Sequence, residues 1–149
     1  MENSDLKDDI RLVLHKYPKL ELVDNVLSGE IDIFDKNDTY YSSYQVKIII
    51  PREYPHEFPS VNETEGRIPR IADRHINDED GDCCLCVLQE ADIRAKRGIT
   101  ILNFIDEYVI PFFANQVYFE SNGNGQMENI NMVLPVFSSI IVKFSRHRI

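Results

Sequence analysis

The side chains with the most potential chemistry lie in one stretch, Arg67 to Leu88 (RIPRIADRHINDEDGDCCLCVL). It carries all three cysteines of the chain, Cys83, Cys84 and Cys86. It also holds His75, one of four histidines, and the acids Asp73, Asp78, Glu79, Asp80 and Asp82. A metal site fits this set poorly, because adjacent cysteines and a C-x-C rarely close one tetrahedron and the paired spacing of zinc ligands is absent. A thiolate of the protease or redox-sensor kind wants a positive field, and the crowding carboxylates supply the opposite. No histidine is recognisably placed as a base for a thiol protease. A thiol that only carries an acyl group has less need of a permanently low pKa, and an acidic loop can hold and deprotonate an incoming amine. In extended backbone, positions 83, 85 and 87 share one face and 84 and 86 the other. Cys83 and Cys86 are expected to be small buried hydrophobes. The chain reads as a scaffold that presents one of its thiols.

The flanking stretches must position that loop. Ser4 or Asn3 can cap a first helix with Asp5 near its positive end. Leu6, Ile10, Val13, Leu14 and Tyr17 fall at helical spacing, and Pro18 ends the run. From Lys19 to Pro51 the period becomes two: Leu27, Gly29, Ile31 and Ile33 alternate with polar neighbours, as do Tyr44, Val46, Ile48 and Ile50. Asp35 to Asp38 (DKND) supplies the turn between them, and Leu20 to Val23 is a shorter strand ahead of both. A helix and a meander of three antiparallel strands result. Tyr54 to Val61 (YPHEFPSV) has two prolines four apart, which predicts a rigid, irregular flap. Val61 to Glu63 resumes as an edge strand. Residues 64–82 lack periodicity, and so long a loop in a small domain is usually functional. Ala91 to Gly98 reads as a polar segment of one helical turn. Thr100 caps a helix bearing Ile101, Phe104, Ile105, Tyr108 and Phe112, which Pro111 must kink or split. Ser121 to Gly125 is a loop.

With 149 residues, 43% of them hydrophobic and only six glycines, the chain suits one globular α+β domain over 1–149. A net charge of −9 argues against nucleic acid as a partner. No apolar run approaches the roughly eighteen residues of a spanning helix, so no membrane is expected. The start, MENSDLKDD, has neither the basic nor the apolar region of a signal peptide. Three cysteines within four positions make no disulfide framework. A reduced, cytoplasmic protein is the expectation.

YPHEFPSV resembles the tyrosine-proline flap of ubiquitin-conjugating enzymes, Y-P-x-x-x-P-x-V. His75-Ile76-Asn77 resembles their His-Pro-Asn, and Gly81-Asp82-Cys83-Cys84-Leu85 their Gly-x-x-Cys-Leu around the acceptor cysteine. The order of elements is also similar, over roughly residues 4–120. Ile76 stands where that family has proline, Asn77 lies one residue closer to the cysteine, and the chain has no tryptophan for the Trp-Ser-Pro that commonly follows. With the RIPRIADR insertion, these features resemble the conjugating-enzyme-like proteins of bacterial anti-phage islands, in particular the short type II cyclic-oligonucleotide (CBASS) systems.

The resemblance implies a ubiquitin-conjugating-like fold in which Cys84 holds a protein C-terminus as a thioester and passes it to an amine. Asn77 would donate to the oxyanion, His75 would fix the loop, and Tyr54, Gly81 and Leu85 would support the site. Cys83 is the alternative nucleophile, with only Leu85 to separate the two. The implied partner is the C-terminus of a cGAS/DncV-like nucleotidyltransferase or of a ubiquitin-like protein. Some such systems include an activating enzyme. No metal or organic cofactor is implied. A non-catalytic binding module of the same fold is the rival reading.

Residues 130–149 are atypical. Met132 to Ile149 contains no acid in a chain with 25. Back-translated with allowed codons and read one nucleotide earlier, Met132 to Phe144 can give Ile-Phe, Tyr and Ile-Phe at helical spacing. A frameshift near Asn131 is the expectation, and the codons themselves test it.

Overall fold

The apolar stripe of the first helix sets the packing of everything after it. In a computed structural model that describes residues 4–77 and 79–122, α1 (Ser4–Lys16) buries Ile10 and Val13, with Asp5 in its first turn and Lys16 in its last. It ends before Pro18, as a proline requires of the residues ahead of it. The tail from residue 130 onward, and the frameshift expected there, lie outside the described residues.

Four antiparallel strands follow in the order β1-β2-β3-β4: β1 (Leu20–Val23), β2 (Val26–Phe34), β3 (Tyr40–Ile49) and β4 (Ser60–Glu63). The meander expected from the period-two pattern is present, and the edge strand expected near Val61 is β4. Asp35 closes the β2–β3 turn, its carboxylate accepting from the N–H groups of Asn37 and Thr39 at 2.8 and 2.9 Å. One face of the sheet buries Leu27, Ile31, Ile33, Tyr44, Val46, Ile48 and Val61. Each such side chain contributes about 1.5–3 kcal/mol of burial.

Helix α4 (Ile110–Asn122) packs on β2 and β3. α2 (Leu88–Lys96) has nine residues where one turn was expected. It escapes the periodicity test because Leu88 and Ile93 are 80% and 60% exposed and only Ala95 is buried, so it has no apolar stripe to detect. Thr100 caps α3 (Ile101–Phe104), accepting from the Asn103 N–H at 3.1 Å. A π-helical turn (Ile105–Val109) then leads into α4 (Ile110–Asn122). Pro111 cannot donate to a carbonyl four residues back, and the widened turn directly ahead of it absorbs that mismatch. The expected kink or split takes the form of this wide turn, with α-helix on both sides. Tyr44 packs on Phe113 with ring centroids 4.7 Å apart, and Phe58 meets Phe104 and Tyr108 edge to face at 5.4 and 5.0 Å.

The flap is pinned to the start of α3 through a buried acid. Asp9 of α1 accepts from the N–H groups of Ile101 and Leu102 at 2.6 and 3.1 Å and from the Tyr54 hydroxyl at 2.8 Å. The Ile99 N–H donates to the Pro55 carbonyl at 2.7 Å, and the Tyr54–Pro55 peptide is cis. Among the described residues, no helix is long and apolar enough to cross a membrane.

Candidate active site

The loop that carries the cysteines is anchored at two buried charges. Glu63 ends β4 on the inward face, 1% exposed. Its carboxylate accepts from the Ile68 N–H at 3.1 Å, the Glu65 N–H at 2.7 Å and Arg70 Nη1 at 2.8 Å. Arg70 Nη2 also donates to the Glu63 carbonyl at 2.9 Å. Burial alone would raise this carboxyl, but backbone N–H groups of Ile68, Glu65 and Arg67 and the Arg70 charge outweigh it and hold it below its ordinary range. The second anchor is Arg74, whose Nε donates to Gln116 Oε1 on α4 at 2.6 Å while Gln116 Nε2 returns a bond to the Arg74 carbonyl at 2.9 Å. The Arg74 guanidinium lies over the Phe119 ring, 4.3 Å from its centroid.

Between these anchors, residues 81–84 run as a short extended segment with a partner on each side. On one side Asn62 of β4 bridges Asp82, with the Cys83 N–H donating to the Val61 carbonyl and the Glu63 N–H to the Gly81 carbonyl, both at 2.9 Å. On the other side Ile76 bridges Cys83, with the Cys84 N–H donating to the His75 carbonyl at 2.9 Å and the Asn77 N–H to the Asp82 carbonyl at 2.8 Å. The cysteine segment thus extends the sheet at β4, and the strand alternation decides which side chain goes where. Val61, Cys83 and Ile76 form a buried row. Asn62, Asp82 and Asn77 form the row on the opposite, outer face, and Cys84 follows Asp82 on that same face.

Each expected site residue has a definite place. Cys84 is exposed, Cys83 buried and Cys86 half-buried. Leu85 is buried, as alternation demands. Asn77 is exposed, and its Oδ1 accepts from the Glu79 N–H at 2.8 Å, which fixes the amide and leaves Nδ2 as the donor. His75, half-buried at φ 58°, ends the 3-10 turn Ala72–Arg74 and meets Cys84 through its backbone carbonyl. Gly81 is at φ 75°, and a Cβ there would lie 2.3 Å from the Glu63 carbonyl oxygen, so no other residue fits. Tyr54 is buried, its hydroxyl donating to Asp9.

The field around the thiols is negative. Burial and then the Asp82 charge raise the Cys84 thiol. The same two causes push Cys83 up much further, and its Sγ leans on the Gly81 carbonyl at 3.6 Å. Asp82 is itself raised, by burial and by Asp80. Among the described residues, no group of three or more His, Cys, Asp or Glu side chains converges as a cation would need.

Sequence reasoning passed over Asp9, Glu63 and Arg74. Two of them left a signal. Asp9 is three residues from Leu6 and four from Val13, on the apolar stripe, and Glu63 shares the inward parity of Val61. Arg74 with Gln116 joins positions 42 apart and left none. The chain matches no protein-family model and no curated protein. What stands is the geometry: an exposed thiol and an anchored amide on one face of a backbone-tethered segment.

Proposed function

We propose that the chain is a ubiquitin-conjugating-like acyl carrier, with that family's fold, in which Cys84 holds a protein C-terminus as a thioester. The observation that carries this reading is the opposite facing of two adjacent cysteines: Cys83 is packed inward between Val61 and Ile76, and Cys84 stands outward on the face of Asn77. The Cys84 sulfur attacks a carbonyl activated as an acyl adenylate or another thioester. The S–C bond forms as the leaving group departs. An amine then attacks, its C–N bond replacing the C–S bond, and amide and thiol are released. Asn77 Nδ2 donates to the oxyanion of that step. His75 positions the loop through its carbonyl, and Gly81 and Leu85 hold the thiol segment in register.

A raised thiol pKa supports this use over a redox or protease role. Such a thiol is a poor nucleophile at neutral pH but also a slow leaving group, so an acyl chain stays on it until a donor-assisted amine arrives. The proposed cargo is the C-terminus of a cGAS/DncV-like nucleotidyltransferase or a ubiquitin-like protein, in bacterial anti-phage signalling. Three free thiols in four positions suit a reducing cytoplasm.

The test is intact mass under non-reducing conditions after incubation with such a synthase and lysate, for wild type, Cys84→Ala and Cys83→Ala. A thiol-labile adduct lost only in Cys84→Ala is the expected result. An adduct lost only in Cys83→Ala would move the nucleophile. No adduct, with binding retained by all three, would make the chain a binding module.

A further inference from the structure

We propose that the open edge of β2 takes an extended segment of a partner protein as an added antiparallel strand, one that alternates basic and apolar residues. The cysteine segment extends the sheet beyond β4, so this edge lies toward the other end of the strand order. Its use does not depend on what Cys84 carries. β1 pairs with β2 from Val26 to Gly29. β2 then runs on to Phe34 with β3 on one side and, among the described residues, no strand on the other. The Ile50 N–H donates to the Asn25 carbonyl, and the Asp35 N–H to the Thr39 carbonyl. Odd-numbered positions thus bond toward β3, and Asp32 and Phe34 turn their backbone groups to the open side. The irregularity near Phe34 inserts Tyr41 on β3 and leaves this alternation intact. An unpaired strand edge is a template for another strand.

The edge opens on a groove of about 630 Å³. Tyr17, Pro18, Ile110 and Ala114 give it an apolar wall, and Tyr17 and Ile110 pack on the same core as Ile31 and Ile33. Six acids also line it, Glu30, Asp32, Asp35, Asp38, Asp106 and Glu107, against Lys16 and Lys19. Lys16 meets Asp106, and Arg94 reaches Glu107 from outside the lining. The Asp35 carboxylate is taken by the backbone of its own turn, and Asp38 has no ion pair among the described residues. Lys19 Nζ lies 2.9 Å from Glu30 and 2.8 Å from Asp32, which shows the charge this edge accepts. The surplus is negative. It disfavours a second copy of the same edge, an anionic membrane or a nucleic acid, and it fits lysine or arginine. Charge alone would blunt an edge against accidental pairing. An apolar wall beneath the charge does the opposite.

A guest strand antiparallel to β2 is read in two alternating sets. Residues opposite Glu30, Asp32 and Phe34 turn their backbone groups to β2 and set their side chains on the outer face. Basic side chains there meet the two carboxylates and the Phe34 ring, which is 45% exposed. Residues opposite Ile31 and Ile33 point inward, to the wall of Ile110 and Ala114. About five residues, roughly 17 Å of strand, cover Glu30 to Phe34.

The test is fluorescence anisotropy with the full-length chain and a short labelled peptide alternating lysine and valine. Saturable binding that weakens with salt is expected. N-methylation of the lysines removes the N–H groups that face β2 and should weaken binding about 10-fold or more. N-methylation of the valines, whose N–H groups face away, should change it less than about 2-fold. Asp32→Asn combined with Asp38→Asn should weaken binding roughly 3–10-fold. Asn is at ease at the φ of 61° that position 38 adopts. Bound peptide should slow amide hydrogen exchange at Asp32 and Phe34 and leave residues 81–84 unchanged. Equal binding of the lysine-methylated peptide would overturn strand addition. Equal binding of a peptide with glutamate in place of lysine, or by the double variant, would overturn the charge reading. Slowed exchange at residues 81–84 in place of Asp32 and Phe34 would move the binding to the cysteine loop and overturn the site. No binding by the full chain, the outcome if its own Lys143, Arg146 and Arg148 hold the groove, would overturn the assignment to a partner.

Discussion

Glu63 and Asp82 lie on paired neighbouring segments and differ in what decides the work of a carboxylate. Glu63 faces inward with backbone donors and Arg70 around it, and its carboxyl is held low. Asp82 faces outward beside another acid, and its carboxyl is raised. One is a fastener: it folds residues 64–70 around itself and presses Gly81 against β4. The other has, among the described residues, only another acid acting on it, in a backbone-tethered segment next to a thiol. Proteins satisfy buried charge where they need shape.

The difference rests on alternation about Cys83, so the largest effect expected is at the cysteines. Native-state alkylation with iodoacetamide, mapped by mass, should modify Cys84 at least about 10³-fold faster than Cys83, which reacts only when the segment opens. Cys86, half-buried, should fall between. Equal rates at Cys83 and Cys84 would break the assignment of inner and outer rows.

The next effect separates fastener from charge. Glu63→Ala strands Arg70 and the N–H groups of Glu65 and Ile68, and should cost about 3 kcal/mol, or roughly 6–12 °C in Tm. Asp82→Asn should leave stability within about 0.5 kcal/mol at pH 7, on the stabilising side. The signs with pH are opposite. Glu63 has a folded pKa below its unfolded value, so its contribution is present above about pH 4.3 and is lost as pH falls through the folded pKa. Asp82 has a folded pKa above its unfolded value, so its ionised form works against the fold at neutral pH and the penalty is relieved as pH falls. Urea midpoints between pH 4 and 7 should therefore show Asp82→Asn gaining on wild type as pH rises. A Glu63→Ala protein as stable as wild type would remove the fastener from the comparison.

The sequence carried these two regions unequally. Helix α1, the meander, the Thr100 cap and the turn at Asp35 were legible because period and turn chemistry are local. The thiol loop was legible as a place, since cysteines and acids crowd there, and the inward turn of Cys83 followed from alternation. Its fastening was legible only in the inward parity of Glu63, and the partners of that acid and of Arg74 were not. Glu63 and Arg70 act on a loop without periodicity, and Arg74 reaches Gln116 across 42 positions. The full length of α2 is not legible because a helix with one buried residue leaves no stripe. Pro111 announces a kink or a split, but the form it takes, a π-helical turn at Ile105–Val109, has no sequence signature comparable to a cap.

The smallest effect tests whether Asp82 acts on Cys84 as its placement implies. Removing the charge in Asp82→Asn should lower the Cys84 thiol pKa, because Asp82 is the charge that adds to burial in raising it. The thiolate fraction at pH 7 then rises, and Cys84 should alkylate a few-fold faster. A faster Cys84 with Cys83 unchanged is a pair that simple loosening of the loop does not produce, since loosening would also expose Cys83. If Cys84 alkylation is unchanged while Cys83 quickens, the effect of the substitution is on the fold of the segment and Asp82 belongs with the fasteners.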